Sequence, residues 1–570
     1  LWKVRKGLFS AVAGARPAGT NALLEDVVVR VDALGETCVA LIELFAAHRY
    51  EESVIFGHAR DGNLHFMLNE RFDDAASMRR YEAFTEDMVE LVLGHGGSLK
   101  AEHGTGRIMA PFVRRQYGDE LYQVMWEIKR LIDPRGLLNP GAILSDDPTS
   151  YLRDLKTNPR VEGEVDRCVE CGYCEPVCPS KDITLTPRQR IVVRRDIQTA
   201  RAAGNLALAE SLERDYDNDG TQTCAVDGMC QTACPVLIDT GDLTRRLRRE
   251  SAGRIVDTAW AGAARAWGVV APLGGVALTA AKLLPSGVPT GATRVLRAVA
   301  STDQVPEYDV RLPRGGTSRP EFDPAAPAAV LFSACIGEMF GPEPGASPHA
   351  HGSGATGALV DLCVRARVPL RTPEGIGGLC CGTPWKSKGL TSGYDAMADR
   401  VVPALRRATE DGRLPIVVEA SSCAEGLVTM VTSRAPELRV VDAVEFVRDT
   451  VLPRLTITRS ASTVVVHPTC SNERAGTTTA LVDLANAVSD DVVVPLAWSC
   501  CGFAGDRGLL HPELTASATK LEAAEVKALT GVTAYVSSNR TCEIGMTRAT
   551  GETYRHVLEL LAEATLTNEA

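Results

Sequence analysis

Residues 168–179 read "CVECGYCEPVCP", which sets Cys168, Cys171, Cys174 and Cys178 at a C-x2-C-x2-C-x3-C-P spacing. No other feature constrains the fold as much, because three thiolates so spaced wrap one corner of an iron–sulfur cubane and the fourth serves a second cluster. A second run, "CAVDGMCQTACP" at 224–235, supplies the partners. Cys168, Cys171 and Cys174 are therefore assigned with Cys234 to one [4Fe-4S] cluster, and Cys224 and Cys230 with Cys178 to the other. Asp227 falls where the second cluster's remaining thiolate belongs. Carboxylate binds iron more weakly than thiolate does. The second cluster is thus expected as an Asp-ligated [4Fe-4S] or as a [3Fe-4S] that has lost that iron, with Asp227 a ligand or a turn residue beside it. Zinc fingers, by contrast, pair two close ligands with two distant ones.

The chain has 570 residues, room for about three to five domains of roughly 100–200 residues each. Its 17 cysteines fall in tight clusters beside Pro and Gly, and no signal-peptide pattern precedes them, so metal ligation in a reducing compartment is expected over disulfides. A net charge of -11 argues against a nucleic-acid partner. The start at Leu1-Trp2-Lys3, already in patterned sequence, suggests a cut edge. The most apolar window, 266–284, is interrupted by Pro272, Gly274, Gly275 and Lys282, which suits a surface or interfacial segment better than a spanning helix. The expected location is cytoplasmic, peripheral on the inner face of a membrane.

Residues 1–148 alternate strand-like and helical runs and read as an α+β domain. Residues 149–250 hold the two cysteine runs around a charged, Ala-rich helical stretch, a mostly helical domain. Residues 251–325, rich in Ala, Gly and Pro, read as a linker with an interfacial helix. An internal repeat follows, over 326–450 and 451–570. "AAVLFSACIG", "GIGGLCCGTPW" and "LPIVVEASSCAEG" recur in order as "STVVVHPTCSN", "PLAWSCCGFAG" and "VTAYVSSNRTCEIG". Each copy suggests an α/β unit with cysteines at strand C-termini: Cys335, Cys380, Cys381 and Cys423, then Cys470, Cys500, Cys501 and Cys542. Cys38 and Cys363, in apolar helical patterns, read as core residues.

"HARDGNLH" sets His58 and His65 on either side of an Asp-Gly-Asn turn, and "LKAEHGTGR" adds Glu102 and His103. A hairpin would bring both imidazoles toward one point, and two histidines with a carboxylate make a divalent-metal site able to polarise a substrate oxygen. These segments, with "LWKVRKGLF", "ARPAGT" and "DPRGLLNPG", resemble the C-terminal, ferredoxin-like α+β domain of FAD-linked oxidases of the vanillyl-alcohol-oxidase type, which include D-lactate, glycolate and D-2-hydroxyglutarate dehydrogenases. The remainder resembles the iron–sulfur subunits of the same systems: a helical two-cluster ferredoxin domain and two CCG cysteine-rich units, as in heterodisulfide reductases. Each copy has one thiolate fewer than the heterodisulfide reductase pattern, Asn539 standing before Cys542 and "SSC" ending at Cys423, so the copies hold a further cluster or serve as structural or redox thiols.

The resemblance implies that His58, His65 and Glu102 hold a divalent metal, Zn or Mn, that His103 takes the hydroxyl proton, and that Arg5 clamps the substrate carboxylate or makes a surface salt bridge. It also implies FAD, bound mainly by a domain preceding this one, since "GHGG" and "GTG" make no dinucleotide fingerprint. The expected function is oxidation of a small 2-hydroxy acid, D-lactate favoured, with electrons relayed to a quinone or cytochrome. Met67 stands where an Asn is expected in D-2-hydroxyglutarate enzymes. The rivals are a non-catalytic electron-transfer subunit of a separate flavoprotein, a glycolate or D-2-hydroxyglutarate dehydrogenase, and a thiol–disulfide reductase working at the CCG units.

Overall fold

The computed structural model describes residues 9–343, 346–458 and 460–565. The chain forms two compact units, residues 1–171 with 194–209, and residues 172–193 with 210–570.

In the first unit, strands β1 (Asn21–Val28), β2 (Val54–His58) and β3 (Asn63–Glu70) form an antiparallel sheet in the order β1-β3-β2. Central β3 is buried along nearly its whole length, as a strand paired on both sides and covered by helices must be. Helices α1 (Leu34–Ala47) and α2 (Ala75–Gly94) supply the cover, with the Phe45 ring 5.7 Å from Phe66 and 5.9 Å from Phe84. Asp74 starts α2 by accepting hydrogen bonds from the Ala76 and Ser77 amides. The β2–β3 turn depends on Gly62: its φ is +69°, and a Cβ there would lie 2.0 Å from the Val29 carbonyl oxygen.

The stretch between the two cysteine runs is helical over Pro187–Ala202 and Leu206–Tyr216. In the second unit, the copies have the same topology. Strands β4 (Ala329–Leu331), β5 (Leu370–Arg371), β6 (Ile416–Val418) and β7 (Val440–Asp442) form a parallel sheet in the order β5-β4-β6-β7. Strands β8 (Ala461–Val466), β9 (Ser489–Val493), β10 (Ala534–Ser537) and β11 (Tyr554–His556) form the other, in the order β9-β8-β10-β11. Both sheets reverse direction between their first and third strands, and such a switch point is where open α/β sheets collect ligands at strand C-termini.

The segment expected as a linker with an interfacial helix forms helices Arg254–Arg265, Trp267–Leu283 and Gly287–Val299, followed by irregular chain. The same small residues that suggested a linker allow close packing. A Cβ on Gly275 would lie 2.7 Å from the Glu338 carbonyl oxygen, and Trp267 packs 4.8 Å from Trp385 in the core of copy one.

Candidate functional site

In the first unit, the antiparallel register places His65 opposite Asp26 on β1 and opposite Phe56 on β2, while His58 closes β2 beside Asn63. His58 Nε2 lies 3.1 Å, and His65 Nε2 2.9 Å, from the same oxygen, Oε1 of Glu102. The three donor atoms fall within 4.8 Å of one another, close enough to share one ion. The site is graded in exposure: His65 is buried, while His58 and Glu102 reach solvent. That suits a centre held from below and open to a ligand above. His103 stacks on His65 with ring centroids 4.8 Å apart and planes 13° apart, and is itself half-exposed. Arg5 lies outside the described residues.

Asp26, not singled out in the sequence, organises this cluster. Its fully buried carboxylate lies 3.3 Å from His65 Nδ1 and accepts hydrogen bonds from the backbone of Ala101, Glu102 and His103 and from the Asn63 amide. Burial opposes its ionisation, but the hydrogen bonds from His103, Glu102, Asn63 and Ala101 outweigh that and hold its pKa below the usual carboxylate value. With Nδ1 facing Asp26, His65 presents Nε2 to the cluster, the carboxylate–histidine arrangement that fixes metal-binding imidazoles. The available signal was an adjacent acid pair, Glu25 and Asp26, in the middle of a Val-rich strand.

Among the iron–sulfur ligands expected from sequence, the first unit holds Cys168, buried, and Cys171, exposed. The Cys168 carbonyl accepts from both Arg16 and Arg195. In the second unit Cys178, Cys224 and Cys230 are buried, and Cys174 and Cys234 are half-buried. Arg190, fully buried, donates to Ser180 Oγ and the Gly220 carbonyl at 2.8 Å and to Cys178 Sγ at 3.7 Å. Burial disfavours its charge, yet the Cys224 and Cys178 sulfurs raise its pKa above the ordinary arginine value. A buried cation facing two thiols suits an anionic cluster held by them. Asp227 is half-buried beside Cys500 of copy two, with its Oδ2 buried, and desolvation pushes its pKa up to about 6.

The cysteines of the copies come together in matching pairs. Cys335 and Cys380 sulfurs lie 3.7 Å apart in copy one, where Cys381 also meets Cys423. In copy two Cys470 meets Cys500, and the Cys501 and Cys542 sulfurs lie 3.4 Å apart. A cavity of about 320 Å³ opens onto all four copy-one cysteines, together with Cys470 and Asp227. Its walls include Trp260, Trp267 and Met339, with Lys386, Lys388 and Arg245 as cations. Cys38 is half-buried on α1 and Cys363 is buried in a hydrophobic core, both placed as packing residues. The described residues contain no disulfide.

Residues 1–143 match the family of FAD linked oxidases, C-terminal domain; residues 164–238 match the 4Fe-4S dicluster domain; and residues 464–547 match the cysteine-rich CCG domain. The chain carries all three domain types. It is similar to the glycolate oxidase subunit GlcD of Bacillus subtilis, 31% identical over 148 residues that cover 26% of this chain and 30% of GlcD. It is similar to a probable mitochondrial D-lactate dehydrogenase of Danio rerio, 31% identical over 144 residues, 25% of this chain and 29% of that protein. A D-2-hydroxyglutarate dehydrogenase of Haemophilus influenzae is 23% identical over 296 residues, 42% of this chain and 28% of that protein. The chain thus spans under a third of the length of these relatives.

Proposed function

We propose that this protein oxidises a small 2-hydroxy acid, D-lactate favoured, to the 2-oxo acid at the His58–His65–Glu102–His103 cluster, and that its iron–sulfur regions pass the electrons to a quinone or cytochrome. The observation that carries the reading is the stacking of a half-exposed His103 on the buried His65 imidazole, which Asp26 backs and which meets Glu102. A divalent ion held by His58, His65 and Glu102 would supply Lewis acidity to the substrate oxygens, and a flavin would supply the hydride acceptor. His103 accepts the hydroxyl proton, while Asp26 fixes His65 and the backbone of 101–103 so that the base keeps its position. Oxidation removes that proton and a hydride from the substrate carbon, two electrons in all.

Met67 supports a short monocarboxylate. It lies two residues beyond His65 on β3, on the same face, buried and without a hydrogen-bond donor for a second carboxylate. The reach of the Haemophilus relative across 42% of this chain favours D-2-hydroxyglutarate as the second reading. The proposal includes cytoplasmic placement with peripheral contact at the inner face of a membrane. Exposed Val269, Leu273, Val276 and Leu283 on one helix support that contact. Among the described residues no single helix is long and apolar enough to cross a membrane, although the bent pair Arg254–Arg265 and Trp267–Leu283 passes on length and composition together.

The test is anaerobic addition of D-lactate, D-2-hydroxyglutarate and glycolate in turn to the full-length flavin-containing protein, following flavin and iron–sulfur absorbance together. Bleaching of both by D-lactate is expected. Bleaching by D-2-hydroxyglutarate alone selects the second reading, and reduction by dithionite but by none of the acids overturns both.

A further inference from the structure

The two cysteine-rich copies share topology and cysteine pairing, but they differ at one buried position next to the sulfurs. Aligning Cys335 with Cys470 places Phe332 opposite His467, each immediately following its first strand. Phe332 is an apolar core residue of copy one. His467 is fully buried, and its Nδ1 lies 2.8 Å from Oε1 of Glu522, which is fully buried too. Its buried Nε2 is turned to the Cys501 sulfur. A ring nitrogen of His467 and the sulfurs of Cys501 and Cys542 lie within 4.8 Å of one another.

We propose that His467, Cys501 and Cys542 form a mononuclear site for a zinc-type divalent ion, present in copy two and absent from copy one. Three observations carry this. The donor set, one imidazole and two thiolates, is that of a borderline-soft tetrahedral ion with one coordination position left over. The 3.4 Å between the Cys501 and Cys542 sulfurs is close to the separation of about 3.8 Å that two thiolates adopt on one tetrahedral zinc. The buried Glu522 carboxylate on Nδ1 is the partner that orients a metal-bound histidine, and it leaves Nε2 as the ligand atom.

The surroundings separate this site from its counterpart. All four cysteines of copy one face the cavity of about 320 Å³, whereas His467, Cys501 and Cys542 do not line it. The cavity beside copy one has room for a multinuclear centre, whereas the three donors of copy two are buried outside it. A zinc-type ion has no redox chemistry, so this centre would hold the end of β8 to the Cys500–Cys501 loop and the helix beginning at Arg540, and electrons would bypass it.

The test uses the whole chain, supplied with Zn2+ and dialysed, with metal content measured per chain and the zinc shell read by X-ray absorption at the zinc edge. Wild type should retain one zinc with two sulfur ligands at about 2.3 Å and nitrogen at about 2.0 Å. That shell also distinguishes it from zinc at His58, His65 and Glu102, which offer no sulfur. His467→Phe, which installs the copy-one residue, should lose this zinc equivalent and leave iron unchanged. His467→Cys should keep it with nitrogen replaced by sulfur, and Glu522→Gln should weaken zinc retention about 10- to 100-fold. Sulfur-bound zinc unchanged by both His467 substitutions would overturn the proposal, as would iron rather than zinc falling in His467→Phe. Should His467→Phe fail to fold, the shell of His467→Cys decides alone: a gained sulfur supports the site, and an unaltered shell sinks it.

Discussion

At the scale of single residues, Asp26 and His103 do different work and should fail differently. Asp26 acts through His65 and the 101–103 backbone, so Asp26→Ala should weaken divalent-metal binding about 10- to 100-fold, measured by competition titration against a chromogenic chelator. His103 stands beside the proposed ligand set, so His103→Ala should leave metal binding intact. It should abolish flavin reduction by substrate while dithionite still bleaches the clusters; undiminished turnover would remove its assigned role. The difference also explains what could be read from sequence. His58 and His65 flank a single turn, and Glu102 and His103 are adjacent, so each half of the cluster is a local pattern. Asp26 joins them only through strand register, 39 positions from His65, and Asp227 meets Cys500 across 273 positions. No spacing rule reaches that far.

At the scale of elements, the strands and helices of the first unit follow the alternation that predicts them, and both parallel sheets follow from the repeat. Of the helices of 254–299 the sequence suggested an interfacial one and not its two neighbours, because Ala, Gly and Pro read alike in a linker and in a tightly packed helix; the contacts that choose between them lie on copy one. One cap makes an element-scale prediction. His556 begins the helix Val557–Ala564: its Nδ1 accepts from the Leu558 amide, and the Glu559 side chain accepts from the His556 amide. Burial pushes the His556 pKa down to about 4, although Glu559 nearby pulls it up. The folded ring is therefore neutral where the unfolded one protonates. Its contribution is full above the ordinary value near 6.5 and falls as the pH drops toward 4, by about 2 to 3 kcal/mol at pH 4.5. His556→Asn keeps a capping acceptor without a titrating group, so its denaturant midpoint should change less between pH 7 and pH 4.5 than that of wild type.

At the scale of the whole molecule, the sequence shows two ordered copies but not their division of labour, because the cysteines recur and the residues around them do not. The second unit builds the asymmetry from three places. Copy one turns four sulfurs toward a cavity of about 320 Å³, and copy two closes His467 onto Cys501 and Cys542. The Asp227 loop reaches copy two through Gly228, where φ is +72° and a Cβ would lie 2.4 Å from the Arg474 guanidinium carbon. That contact places the aspartate of the second iron–sulfur run next to Cys500, and Asp227 also lines the cavity. A cluster held by Cys178, Cys224 and Cys230 would therefore have Asp227 between it and the chamber onto which the four copy-one cysteines open, whereas a redox-inert ion in copy two would carry no electrons. Iron and acid-labile sulfide per chain then separate the copies. Cys381→Ser removes a thiolate from the cavity wall and should lower both in proportion to a lost cluster, with the first two clusters retained. Cys501→Ser should leave both unchanged while zinc falls. Equal iron loss in the two variants would mean that both copies carry iron and that the substitution of His467 for Phe332 tunes a cluster instead of replacing one.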